Sequence, residues 1–137
     1  MKALLINGSP HAKGCTYTAL IELKRTLEAE GIETELIHVG NQDVRGCIAC
    51  GQCRKLGKCV FDDVVNEVAS KLAEADAFVI GAPVYYSSPA GGAISFMDRL
   101  FFSTFNVDKT MKVGASVVCA RRGGCSATFD ELNKFFT

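Results

Sequence analysis

Two short, unbroken apolar runs decide most of what this chain can fold into. Residues 3–7 (ALLIN) and 77–82 (AFVIGA) are too short for an ordinary helix and show no polar face. A strand that is apolar on both sides must be covered on both sides, which is the habit of parallel strands inside an α/β sheet. Each run ends in a Gly/Pro-containing loop and is followed by a segment of helical periodicity. After Gly8-Ser9-Pro10, Leu20, Leu23 and Leu27 recur at helical spacing over about 16–30, and Gly31 stops that helix. Residues 33–39 (ETELIHV) alternate polar and apolar and read as a second strand, nearer an edge. Asp62 or Asp63 caps a helix running to about Glu74, with Val64, Val68 and Leu72 on one face. A helix over about 90–102 carries Ile94, Met97 and Phe101 on one side. Residues 112–119 (KVGASVVC) read as a fourth strand, and a last helix covers about 126–136. The alternation predicts one α/β domain over residues 1–137, with right-handed crossovers and helices on both faces of a parallel sheet.

Composition narrows the function classes. Fifteen Lys+Arg cancel 15 Asp+Glu, and 48% of residues are hydrophobic against 22% charged. That balance supports a packed core and excludes a disordered chain. A neutral chain lacks the basic excess of a nucleic-acid binder. No apolar run approaches the roughly 18 residues of a membrane span. The start, MKALLINGSP, passes from a strand-like run into a turn and lacks the pattern of a signal peptide, so no membrane association and a cytoplasmic location are expected.

Ligands of parallel α/β sheets bind at the carboxyl ends of the strands. Three loops leave strands at that edge: 8–16, 83–89 and 120–125. The first, Gly8-Ser9-Pro10-His11-Ala12-Lys13-Gly14-Cys15-Thr16, joins a strand to a helix N-terminus, a place that favours an anion. Ser9, Thr16 and Thr18 supply hydroxyls; His11 and Lys13 supply cationic groups. The order Lys13-Gly14-Cys15 breaks the triphosphate-binding P-loop pattern, and Pro10 breaks the dinucleotide G-x-G-x-x-G pattern. A terminal monophosphate remains, against the plainer reading of a polar turn. In the second loop, Pro83, Val84, Tyr85 and Tyr86 offer a platform for a flat ring, or simply pack the sheet edge. In the third, Ala120, Arg121, Arg122, Gly123 and Gly124 combine close backbone approach with guanidinium groups suited to a phosphate or a ring edge. Together the loops describe one site with a phosphate end and a ring end. No side chain stands out as a nucleophile or general base; His11 reads as a phosphate contact and His38, inside a strand, as structural.

Four of the seven cysteines fall at Cys47-x2-Cys50-x2-Cys53-x5-Cys59. Outside an oxidising compartment such a cluster reads as metal or redox chemistry. Overlapping CxxCxxC with a delayed fourth cysteine fits a cubane iron–sulfur cluster better than the paired CxxC of structural zinc. Four unligated thiols capping the pocket remain the alternative. Arg45, Arg54, Lys55 and Lys58 offset thiolate charge, and Gly46, Gly51 and Gly57 let the backbone wrap closely. Cys15, Cys119 and Cys125 read as small residues at packed positions.

These segments resemble the flavodoxin-like flavoproteins, and within them the NADPH-dependent FMN reductases and iron–sulfur flavoproteins. The resemblance rests on NGSPHAKGCT at 7–16, the cysteine spacing at 47–59 with Asp62-Asp63 after it, GAPVYYSSPAG at 81–91, Asp98-Arg99 and RRGG at 121–124. It implies a three-layer sandwich with strand order 2-1-3-4-(5). It implies that Ser9, His11, Thr16 and Thr18 hold the phosphate of FMN, that the loops at 83–86 and 120–124 contact its ring, and that Cys47, Cys50, Cys53 and Cys59 hold a 4Fe–4S cluster. The implied activity is transfer of electrons from NAD(P)H or reduced ferredoxin to a flavin, quinone or similar acceptor. The alternatives are an electron-transfer protein without a small-molecule substrate, against which neutral charge argues because small carriers of this fold are often acidic, and a cysteine-based sensor without flavin. A homodimer is expected, because Phe96, Phe101, Phe102 and Phe105 exceed what one helix face buries in a small domain. Only four strands are read where the fold uses five, so the expectation is a C-terminally truncated chain or an edge completed by a partner.

Overall fold

The computed structural model describes residues 1–137. Its elements, in chain order, are β1 (Lys2–Asn7), α1 (Cys15–Ala29), β2 (Glu33–His38), α2 (Cys53–Leu56), α3 (Val64–Glu74), β3 (Ala77–Tyr85), β4 (Ser88–Pro89), α4 (Gly91–Ser103), β5 (Val113–Cys119) and α5 (Cys125–Asn133). The parallel strands run in the order β2-β1-β3-β5, in register Leu5↔Leu36 and Leu5↔Val79 across β1 and Val79↔Ala115 across β3 and β5. This is the flavodoxin-like order. The strand expected fourth is β5, because a short antiparallel β4 intervenes in the chain.

Side chains of a strand alternate between faces, and β1 shows the consequence. Leu4 and Ile6 enter one core cluster, with Val65, Val68 and Leu72 of α3, Phe96, Met97 and Leu100 of α4, and Leu132 of α5. Leu5 enters the other, with Val79 and with Leu20, Leu23 and Leu27 of α1. The sheet is thus layered between α1 on one face and α3, α4 and α5 on the other. The apolar run of β1 is continuous because both faces are covered. Asp63 caps α3 by accepting from the Val65 N–H at 3.0 Å.

Several expectations are corrected. Residues 83–85 are not loop: β3 continues through them, because Pro83 lies in register with Cys119 and Val84 and Tyr85 pair with Pro89 and Ser88. Proline is tolerated in that position near the end of a strand. The last helix stops at Asn133 rather than about 136. Of the aromatic residues taken as surplus, Phe96 is fully buried, and Phe101 packs edge-on against Phe78 at 5.8 Å with Phe135 and Phe136 beside it. Only Phe102 and Phe105 are exposed. Cys15 and Cys125 are exposed, not packed, because each opens a helix at the sheet's ligand edge.

Candidate functional site

The loop after β1 is held from within by Asn7, a fully buried side chain. Its Oδ1 accepts from the Ser9 N–H at 3.1 Å, and its Nδ2 donates to the Ala12 carbonyl at 3.4 Å. From outside, His38 at the end of β2 places Nε2 2.7 Å from the Ser9 carbonyl, which requires the Nε2–H form of the ring. Gly40 presses on the same peptide: a Cβ there would lie 2.1 Å from the Ser9 carbonyl oxygen, so no side chain fits. The clamp leaves donors free. Ser9 Oγ accepts from the His11 N–H at 3.2 Å, so its own hydrogen remains available. Thr16 is buried at the first turn of α1, and no side chain caps that helix. Thr18 is exposed and donates its hydroxyl to the Gly14 carbonyl at 3.3 Å. Ser9 and Thr16 are therefore the better hydroxyl donors, with His11 exposed at the mouth. An uncapped helix end beside two free hydroxyls suits a terminal phosphate.

The loops after β3 and β5 meet beside it. Tyr86 and Ser87 form the two-residue turn between β3 and β4, both left-handed at φ 51° and 61°. That is the mirror-image hairpin turn, normally built from Asn and Gly, and with Tyr and Ser it is strained. The Tyr86 side chain at this turn is fully exposed. Val84, Tyr86 and Ser87 face Arg121, Arg122 and Gly123 across an open cleft of ≈ 490 Å³, a size suited to a small aromatic ligand. Pro83, Tyr85, Ala120 and Gly124 do not line it. Gly124 instead caps the start of α5 at φ 91° and lies against Ser87.

All four cysteines of the 47–59 segment line one pocket with Phe61, Arg99 and Phe102. Ala49 (φ 52°) and Gly51 (φ 67°), between the first three cysteines, take the left-handed turns that curl the segment round it. Cys53 is buried, Cys59 half-buried, and Cys47 and Cys50 exposed. Arg99, buried on α4, donates to Cys59 Sγ from Nε at 3.3 Å and from Nη2 at 3.2 Å. It also grips Asp63 at 2.6 and 3.1 Å. Burial opposes the Arg99 charge, but the hydrogen bonds to Asp63 and Cys59 outweigh it and hold its pKa above the ordinary arginine value.

The sequence profile of the family described as NADPH-dependent FMN reductase matches residues 1–137, the whole chain. The chain belongs to this family. Among curated relatives, an iron–sulfur flavoprotein of Methanocaldococcus jannaschii is 34% identical over 99% of this chain and 72% of its own length. One of Methanosarcina thermophila is 34% identical over 97% of this chain and 71% of its own. Another, of Archaeoglobus fulgidus, is 32% identical over 86% of this chain and 54% of its own length. Among solved structures, RosB with a bound riboflavin-phosphate intermediate superposes with a TM-score of 0.74 at 18% identity, over 99% of this chain and 58% of that one. An archaeal flavodoxin superposes with a TM-score of 0.66 at 16% identity, over 99% of this chain and 73% of that one. These likenesses establish the flavodoxin-like fold; the family match and the curated relatives support a flavin oxidoreductase with FMN as its cofactor. No helix is long and apolar enough to cross a membrane.

For this FMN reductase family member, the residues present fit the cofactor. The clamped loop with unspent donors and the ring-sized cleft lie along the same strand edge. The cysteine pocket fits less simply. No three His, Cys, Asp or Glu side chains converge closely enough to hold a single metal ion. The pocket as folded encloses ≈ 20 Å³, about the space of one water. Cys47 and Cys50 stand on its exposed side, Cys53 and Cys59 on its inner side. Four thiols facing one pocket without converging on a point suit a group ligated at four separate corners better than mononuclear zinc. Sequence reasoning did not single out Asn7, Gly40 or Arg99 as site residues. An Asn closing an apolar run and a Gly two residues after a strand-end His were the available signals for the first two; nothing local marked Arg99 as a partner of Cys59.

Proposed function

We propose that this chain is an FMN-dependent oxidoreductase that draws electrons from NAD(P)H or a reduced ferredoxin, delivers them to a flavin, quinone or similar acceptor, and carries a 4Fe–4S cluster on Cys47, Cys50, Cys53 and Cys59. The observation that carries this reading is the meeting, at one strand edge, of the Asn7-clamped loop with the cleft between the Tyr86-Ser87 turn and Arg121-Arg122-Gly123. FMN, when bound, supplies a centre that accepts two electrons as hydride or one at a time, and so joins nicotinamide to one-electron partners.

The chain's own part is binding and orientation. Ser9 and Thr16 hydroxyls and the open end of α1 hold the phosphate, with His11 at the mouth. Arg121 and Arg122 face the ring position, and Tyr86 is placed to lie against a flat surface. The open cleft leaves a ring accessible to a second planar molecule. An anaerobic absorption spectrum with iron analysis, followed by turnover with NADPH, NADH and reduced ferredoxin, tests the reading. Resolved flavin bands, about four irons per chain and turnover with at least one donor are expected. Turnover with none overturns the enzyme reading, and an iron-free protein after anaerobic reconstitution overturns the cluster.

A one-electron carrier is the second reading, and one feature favours it. Arg54, Lys55 and Lys58 are exposed around the cysteine pocket together with Ile48, Leu56 and Val60, a cationic and apolar rim suited to a protein redox partner. Negligible oxidation of NAD(P)H alongside rapid reduction by ferredoxin would select it. We also propose a homodimer, with the exposed Phe102 and Phe105 as contacts, which light scattering at micromolar concentration tests.

A further inference from the structure

Cys59 is the cysteine the fold holds most firmly. Asn66 of α3 clasps its backbone on both sides, accepting from the Cys59 N–H at 2.9 Å and donating to the Cys59 carbonyl at 3.0 Å. Arg99 of α4 fixes the sulfur. A guanidinium has five N–H donors, and those of Arg99 all meet acceptors on the segment from Arg45 to Asp63. Nε and Nη2 point at Cys59 Sγ. Nη1 and Nη2 form a fork on the Asp63 carboxylate, and weaker contacts reach the carbonyls of Arg45 at 3.5 Å and Phe61 at 3.3 Å. The Phe61 ring receives the Arg45 and Arg99 guanidinium groups at 4.7 and 5.0 Å. The Arg99 side chain has no exposed surface, and Asp63 is committed to the N-cap of α3. Neither can swing away from the other.

Asp63 alone would satisfy the charge of a buried arginine. Here one edge of the guanidinium is directed at a sulfur instead, and a neutral thiol is a weak acceptor. Two charged donors are well used there only when the sulfur is anionic, as it is when it ligates a metal. Hydrogen bonds and positive charge at a ligating sulfur favour the more negatively charged, reduced state of an iron–sulfur group.

We propose that Arg99 is a positioning residue for the iron–sulfur cluster: its two N–H···S hydrogen bonds preset Cys59 as the fourth ligand and raise the cluster's reduction potential. The inference rests on the cluster reading above and goes beyond it in assigning the tuning group. Asp63 and Phe61 hold the arginine, and Asn66 holds the ligand that it addresses.

The test uses the full chain, reconstituted anaerobically with iron and sulfide and loaded with FMN. Arg99→Lys keeps a cation but loses the fork, and Arg99→Gln loses both. The expected order of cluster potential is wild type, then Arg99→Lys, then Arg99→Gln as the most negative. Resistance of the iron to a ferrous chelator should fall in the same order, by roughly 10–100-fold overall. FMN affinity, read in parallel, should not change, which separates this role from general loss of structure. Asp63→Asn retains an N-cap oxygen and the arginine while weakening the fork; it replaces the Arg99 variants if they fail to fold and should shift the potential in the same direction. Potentials and iron retention equal to wild type in the folded variants overturn the inference alone. A wild-type chain that takes up no iron overturns the cluster reading and this inference with it.

Discussion

Gly124 touches Ser87 backbone to backbone: a Cβ on Gly124 would lie 2.9 Å from the Ser87 Cα, and Gly124 itself sits at φ 91°. The contact ties the start of α5 to the strained hairpin turn. Gly124→Ala meets both a left-handed backbone and a clash with main chain that cannot yield. It should cost about 1–3 kcal/mol of stability and weaken FMN binding together with it. Equilibrium denaturation and a flavin titration read the two effects, and an unchanged midpoint would show that the contact is soft.

Ser87 should respond in the opposite sense. Its φ of 61° is a conformation that glycine adopts without penalty. Ser87→Gly should raise stability by about 1 kcal/mol, while the freed turn holds Tyr86 less firmly and FMN binds more weakly. A gain in both stability and affinity would mean that the turn's strain has no part in binding.

Asn7 distinguishes the two ends of the site. Asn7→Ala strands the Ser9 N–H and the Ala12 carbonyl in a buried setting, at a cost of about 1–3 kcal/mol. The damage falls on the loop after β1 and not on the cleft. FMN affinity should therefore drop while riboflavin, which lacks the phosphate, binds as it does to wild type. Equal losses for both ligands would place the phosphate elsewhere.

Lys71 on α3 reaches Glu35 on β2 at 2.5 Å and Glu67 at 2.9 Å. The hydrogen bonds that Lys71 donates to Glu35 and then Glu67 raise the lysine pKa above its ordinary value. A raised folded pKa means that the stabilisation is fully present below the unfolded lysine pKa and is lost as pH rises through the folded one. Glu35→Gln should lower stability modestly at neutral pH, as expected of a largely exposed pair, and should flatten the alkaline limb of a stability–pH profile. A limb identical to wild type would show that Glu35 contributes nothing to it.

How much was legible beforehand varies by element. β1 and the first part of β3 were readable because burial on both faces leaves an unbroken apolar run. The helices were readable because each packs one stripe, although α3 buries Val65 where Val64 was expected to lead. The end of β3 was not, because the Pro83-Val84-Tyr85 segment looks like a turn and becomes strand only through Cys119 and Pro89, partners distant in sequence or reached by an unusual turn. The phenylalanines divided by position: Phe101 found a cluster with Phe78, Phe135 and Phe136, whereas Phe102, one residue on, is partly exposed at the wall of the cysteine pocket.

The order of residues along the chain was enough to determine the parallel α/β architecture and the cysteine spacing, because periodicity, glycine placement and loop chemistry are local properties. Tertiary structure alone decided which groups in the strand-end loops are free to act. Thr18 spends its hydrogen inside α1 while Ser9 keeps its own. Asn7 and Gly40 shape the loop after β1 from two different strand ends. Arg99, 40 residues from Cys59, meets its sulfur only because α4 packs beside α3 and the cysteine segment folds back over both. Hydrogen-bond donors are few and directional, so their allocation depends on distances between elements, and a linear sequence does not state those distances.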